Sequence, residues 1–220
     1  MKITGITTSV GYADKLARGL ALWRDGLDAL TVVTRATDRA TLALCESTGV
    51  PTLCTEAFTR DRAAFNKAAA LDDGLLAAAP SDWVLFFDAD IVPPSDWRQV
   101  VEFAEPVCGS IYGARREFED GRWIGDGELA GYFQLWHIAD PATQGRPLLG
   151  SWMNASGYDS TFIERWAEER RIILPLTLTH LGQPCRNWCG IGNVAGMTKL
   201  HKDRKRFGGY KHERLDMVTA

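Results

Sequence analysis

The first hundred residues alternate between two hydrophobic periods. Lys2–Ser9 is short and rich in β-branched residues, which predicts a strand. Over Tyr12–Asp25 the period becomes helical, with Leu16, Leu20 and Trp23 at i, i+4 and i+7 and Asp14, Lys15, Arg18 and Arg24 facing away. Leu27–Thr34 predicts a second strand. Asp38 is placed to cap a helix running to about Thr48; Gly49 ends it and Pro51 forbids its resumption. Val50–Thr55 follows as a third short strand. Asp61–Ala79 reads as a third helix, with Phe65, Ala68, Ala69, Leu75 and Leu76 on its apolar side. Trp83–Phe87 is a continuous apolar run, as expected of a strand buried on both faces of a parallel sheet.

Repeated β-α units with right-handed crossovers imply an α/β fold, a mostly parallel central sheet with helices on both faces. In such sheets ligands bind beyond the carboxyl ends of the strands. Asp88-Ala89-Asp90, directly after the fourth strand, is therefore the position to watch. The second half changes character. Arg115–Leu129 is polar and glycine-bearing and reads as a hairpin or mobile loop. Gly131–His137 and Leu174–Thr179 read as strands, separated by a helix near Ser160–Arg170 that carries Phe162, Ile163 and Trp166. With no internal repeat or low-complexity linker, residues 1–198 are expected to form one domain, followed by a tail over 199–220.

The composition, 220 residues with 45% hydrophobic and 24% charged, excludes a disordered, collagenous or coiled-coil chain. A net charge of −3 excludes a molecule built throughout to embrace nucleic acid. The charge is uneven, however: residues 199–214 hold seven Lys/Arg against two acids. That tail reads either as a solvated end or as an arm drawn to a polyanion. The N-terminus lacks the basic-then-apolar pattern of a signal peptide, and no run nears the roughly 18 apolar residues of a membrane helix. The five cysteines are scattered, and Cys185 and Cys189 lack the second pair that a four-ligand zinc site needs. Free thiols and a cytoplasmic location are expected.

Two carboxylates one residue apart repel each other unless a cation or polar partner stands between them. Hard oxygen ligands of this kind suit Mg²⁺ or Mn²⁺, which in turn bind diphosphate oxygens. The alternative is that Asp88 and Asp90 only cap the turn before Pro93-Pro94.

FFDADIVPP after three β-α units resembles the D-x-D segment of family-2-like nucleotide-sugar glycosyltransferases with the GT-A fold. TTSVGYADKL, FNKAAALDDGL, GYFQLWH, GYDSTF and HLGQPCRNWCG match further segments in the same order, over roughly residues 3 to 190. The resemblance implies a nucleotide-sugar-binding half over about 1–105 and an acceptor half over about 106–198. It implies a donor site of Thr8, Tyr12, Thr34, Arg62, Lys67 and Asp88, with Arg62 and Lys67 opening the third helix near the phosphates. It implies Mn²⁺ or Mg²⁺ held by Asp88, Asp90 and His180, and Asp159 as the base that deprotonates the acceptor; Asp159 also stands where an N-cap would stand. Trp152 and Trp188 are weaker candidates for ring stacking, and loop 117–128 for a lid.

The activity so implied is inverting, metal-dependent transfer of a sugar from a nucleoside-diphosphate donor, a UDP-sugar first among them. The acceptor would be a glycan or a hydroxymethylated base in nucleic acid, in the manner of phage DNA modification. Two other readings stand beside it. A haloacid-dehalogenase-type phosphatase would use Asp88 as nucleophile. A non-catalytic module would bind sugar nucleotides without turning them over.

Overall fold

The computed structural model describes residues 1–122, 129–145, 147–152, 155 and 157–182. Eight strands form one sheet: β1 (Ile3–Thr8), β2 (Ala29–Thr34), β3 (Thr52–Cys54), β4 (Trp83–Asp88), β5 (Ile91–Val92), β6 (Ile111–Phe118), β7 (Phe133–His137) and β8 (Arg171–His180). Their spatial order is β3-β2-β1-β4-β7-β6-β8-β5. The β3-β2-β1-β4 half is parallel throughout, as the repeated β-α units require. β7 enters antiparallel to β4 and β6, whereas β6 and β8 run parallel.

Two hydrophobic layers sandwich the sheet. On one face α1 (Ala13–Gly26) and α4 (Trp97–Phe103) cover Ile3, Leu85 and Phe87 with Leu20, Trp23, Trp97 and Val101. Trp23 stacks on Phe87 with ring centroids 4.3 Å apart and meets Trp97 edge-on at 5.1 Å. On the other face α3 (Lys67–Ala77) and α5 (Tyr158–Ile163) cover Ile6, Val84, Phe86 and Trp136 with Leu71, Tyr158 and Phe162. α2 (Arg39–Thr48) opens on the expected cap, Asp38, and closes on Gly49 at φ 67°, a left-handed position that suits glycine.

Several boundaries differ from expectation. The third helix begins at Lys67, because the buried Asn66 caps it by accepting from the Ala69 N–H at 3.1 Å. Before it lies a 3₁₀ segment, Ala57–Arg62, broken where Asp61 and Arg62 take φ of 56° and 62°. Arg115–Phe118 is strand rather than loop, since β6 is long enough to pair with both β7 and β8. The helix expected near Ser160–Arg170 is a short α5 followed by a 3₁₀ turn at Glu168–Arg170.

Candidate functional site

β4 ends on Asp88, and the chain turns at once into the two-residue β5. That strand lies antiparallel to the end of β8, with Ile91 opposite His180, and the Leu181 N–H donates to the Asp90 carbonyl at 2.8 Å. The pairing brings residues ninety positions apart together: His180 Nε2 lies 3.3 Å from Asp90 Oδ2. Both side chains are largely buried, at 12% and 8% exposure. The other imidazole nitrogen, Nδ1, is buried and meets no hydrogen-bond partner among the described residues. β5 is anchored from α1, where Trp23 Nε1 donates to the Ile91 carbonyl at 2.9 Å. Gly19 passes so close that a Cβ there would come within 2.9 Å of the same oxygen.

The strand period places Asp88 on the α3 face with Val84 and Phe86, and the register sets Thr8 beside it. Lys67, in the first turn of α3, forms an ion pair with Asp88, its side chain only 11% exposed. The Tyr158 ring centroid lies 5.5 Å from the Lys67 ammonium. The Tyr158 hydroxyl faces that charge, yet it is buried and meets no hydrogen-bond partner of good geometry among the described residues. Arg116 stacks over Tyr132 at 4.3 Å and acts electrostatically on Asp88.

Asp88 is enclosed by protein on most sides while its side chain keeps 29% of its surface open. Burial raises its pKa and the Asp90 charge adds to this, outweighing the opposing pull of Lys67. Burial alone would lower Lys67; the Asp88 carboxylate and Tyr158 more than reverse that, and its pKa ends above the ordinary lysine range. Tyr158 is raised by burial, against the pull of Lys67, and stays a neutral phenol at physiological pH. The site therefore holds more carboxylate charge than its close-range cations comfortably match.

Asp159 is the second residue of α5, and Gly157, at φ 95°, takes the N-cap position instead. Asp159 Oδ2 accepts from the Gly131 N–H at 3.1 Å. The next residue, Tyr132, accepts from the Asp88 N–H at 3.3 Å. One short segment before β7 thus bonds the Asp159 carboxylate and the Asp88 backbone, which ties α5 to the end of β4.

The other expected site residues fare differently. Thr8 ends β1 next to Asp88 with 8% exposure. Tyr12 and Thr34 are packed in, at 6% and 0% exposure in this structure. Arg62 is exposed and outside the helix, which leaves Lys67 alone at the α3 terminus. In this structure Asp88 is ion-paired with Lys67, while Asp90 and His180 face each other. Among the described residues no three His, Cys, Asp or Glu side chains form a ready-made metal cluster. Asp90 and His180 fit a divalent cation as a pair: a hard carboxylate oxygen 3.3 Å from an imidazole Nε2, both largely buried. Trp152 is core, its indole N–H bonded to the Leu149 carbonyl at 2.9 Å. Residues 117–122 finish β6 and turn, while 123–128, Cys185, Trp188, Cys189 and the tail lie outside the described residues.

Sequence reasoning missed one position that shapes the site, Asp72, and gave Asn66 only a local backbone hydrogen bond. Asp72 on α3 accepts from the Leu148, Leu149 and Gly150 N–H groups at 2.9–3.1 Å. Asn66 accepts from the Trp152 N–H at 3.1 Å and donates to Ser151 Oγ at 2.7 Å. Together they bind the loop that leads toward α5 to the helix that carries Lys67. The one available signal was an Asp on the apolar side of a helix.

No protein-family model matches the chain, and no curated protein does. Solved structures do. Glucosyl-3-phosphoglycerate synthase from Mycobacterium tuberculosis, in complex with phosphoglyceric acid, aligns at 14% identity over 88% of this chain and 81% of that one, with a TM-score of 0.57. The same enzyme in complex with Mn²⁺, uridine diphosphate and phosphoglyceric acid aligns at 15% identity over 83% and 72%, with a TM-score of 0.56. Mannosyl-3-phosphoglycerate synthase from Rubrobacter xylanophilus aligns at 16% identity over 97% and 77%, with a TM-score of 0.54. At such identities the likeness is one of architecture, and it settles the fold: this chain has the GT-A fold of the nucleotide-sugar glycosyltransferases.

Proposed function

We propose that the protein is a metal-dependent glycosyltransferase that moves a sugar from a nucleoside-diphosphate donor to an acceptor hydroxyl with inversion. The observation that carries this reading is the Asp90–His180 pair beside Asp88 at the carboxyl edge of a GT-A sheet. Neighbours of this fold were solved with Mn²⁺ and uridine diphosphate or UDP-glucose, which favours a uridine nucleotide as donor. Asp90 and His180 would hold the cation, with Asp88 beside them. When bound, it would supply charge neutralisation for the departing diphosphate.

The chain's own groups take the remaining roles. Lys67 and Arg116 set two cations around Asp88, where the diphosphate of a donor would lie. Asp159 is the general base: as the acceptor oxygen bonds to the anomeric carbon and the bond to diphosphate breaks, the acceptor proton passes to this carboxylate. The Gly131 N–H fixes one of its oxygens and so aims the other. Among acceptors, the net positive segment 199–214 favours a polyanion, with hydroxymethylated DNA one member of that class. Equal turnover on hydroxymethylated and unmodified DNA would remove that member. The phosphatase reading loses ground because its nucleophile would be Asp88, a carboxylate already ion-paired with Lys67 on the fourth strand rather than the first.

A thermal-shift screen of nucleoside diphosphates and their sugars, with and without Mn²⁺, tests the proposal. Binding to the native state alone raises the melting temperature by mass action. Uridine nucleotides should do so only with the metal. A panel in which no nucleotide shifts the melting temperature with Mn²⁺ present would count against the reading.

A further inference from the structure

The Lys67–Asp88 ion pair has a consequence for the order in which ligands assemble. The Lys67 ammonium is held by α3 in a buried position, and it satisfies a carboxylate that would otherwise face a cation with Asp90. A divalent cation arriving alone would meet one buried carboxylate–imidazole pair and an adjacent positive charge. A diphosphate changes that balance, because its oxygens can accept the same N–H donors that now go to Asp88. We propose that Lys67 is a coupling residue: it keeps Asp88 from a divalent cation until a nucleoside diphosphate draws the ammonium away, so that metal and nucleotide bind as a unit. This rests on the glycosyltransferase reading of the site and adds a mechanism that the reading does not itself require.

Three features of the structure support the assignment. Tyr158 lies beside the ammonium as a neutral phenol, so it offers Lys67 no second anion to rest on. Its buried hydroxyl sits beside the ammonium and gives it a polar neighbour once Asp88 is released. Arg116 remains near Asp88 but extends from β6, so the two cations are positioned independently. Coupling of this kind is reciprocal: if the nucleotide tightens the metal, the metal tightens the nucleotide by the same factor.

The experiment is calorimetric titration of Mn²⁺ and of UDP, each alone and each in the presence of the other, on the full chain. For the unaltered protein, UDP should tighten Mn²⁺ by about tenfold or more. Lys67→Met should bind Mn²⁺ alone about tenfold more tightly than the unaltered protein, and the factor by which UDP tightens Mn²⁺ should shrink to what direct contact of the diphosphate with the metal supplies. Asp88→Asn gives the reciprocal view through a residue less dependent on burial. With Lys67 released from its partner, UDP alone should bind more tightly than to the unaltered protein. Lys67→Arg, which keeps the charge, should retain the coupling. If Lys67→Met leaves Mn²⁺-alone affinity unchanged and UDP tightens the metal by the same factor as in the unaltered protein, the coupling role is wrong and the glycosyltransferase reading survives. If no protein binds Mn²⁺ even with UDP, both fall. Circular dichroism of each variant identifies one that has failed to fold, and the Asp88→Asn titration then decides the matter.

Discussion

Two carboxylates separated by a single alanine end up with different partners: Asp90 faces an imidazole and Asp88 an ammonium. Different losses should follow from removing them. Asp90→Ala and His180→Ala should each abolish the Mn²⁺ dependence of UDP binding, measured by calorimetry. Asp159→Asn should leave donor binding intact and lower transfer by roughly 10²–10⁴-fold, the usual contribution of a positioned general base. Normal transfer by Asp159→Asn would show that another group takes the proton. At this scale much was legible, because acids directly after a buried strand in a β-α series stand where such sheets bind ligands. What the linear chain did not disclose was pairing. Nothing in the spacing of Lys67 and Asp88 says that a first-turn lysine reaches across to a strand end. Tyr12 and Thr34 were placed at the right strand ends, but exposure depends on packing that local sequence does not fix.

The same division holds for elements. Strong periodicity located α1, α2 and the parallel strands to within a residue or two, as Asp38 and Gly49 illustrate at the two ends of α2. The third helix was drawn six residues too long at its start because Asp61–Phe65 carries no helix-breaking signal. Asn66, the true cap, is bonded to Trp152, far along the chain. β5 could not be read at all, since two residues contain no period; it exists because β8 offers it a partner and α1 anchors it. Its role makes Gly19 a sensitive position. Alanine would gain about 1 kcal/mol of helix propensity, yet the overpacking against the Ile91 carbonyl costs about 1–3 kcal/mol, so a net loss is expected. Gly19→Ala should lower the urea midpoint and also weaken Mn²⁺ binding, by displacing Asp90 from His180. Asp72→Ala should destabilise by roughly 2–4 kcal/mol in urea, because three buried N–H groups lose their acceptor at once.

For the molecule as a whole, the site leaves a signature in the pH dependence of stability. Lys67 and Tyr158 both have pKa values raised by folding. Each such group contributes stability that is complete below its unfolded value, about 10 for both, and is lost as pH climbs toward the folded value. The melting temperature should therefore fall between about pH 10 and 11.5, and Tyr158→Phe should flatten that fall. An identical slope in the variant would mean that the phenol does not titrate with folding. The described residues contain no helix long and apolar enough to cross a membrane. One continuous sheet has layers on both faces; the proposed donor side would lie on its parallel half and the Asp159 side on β7 and α5. The central claim is that Asp90 and His180 jointly hold a divalent cation when a nucleoside diphosphate is present, and anomalous diffraction from crystals soaked in Mn²⁺ and UDP tests it most directly. The account predicts one manganese peak bonded to the Asp90 carboxylate, the His180 imidazole and diphosphate oxygens, with Asp88 released from Lys67 and turned toward it. A peak elsewhere, or ordered UDP beside an Asp90–His180 pair that has no metal between them, would contradict it.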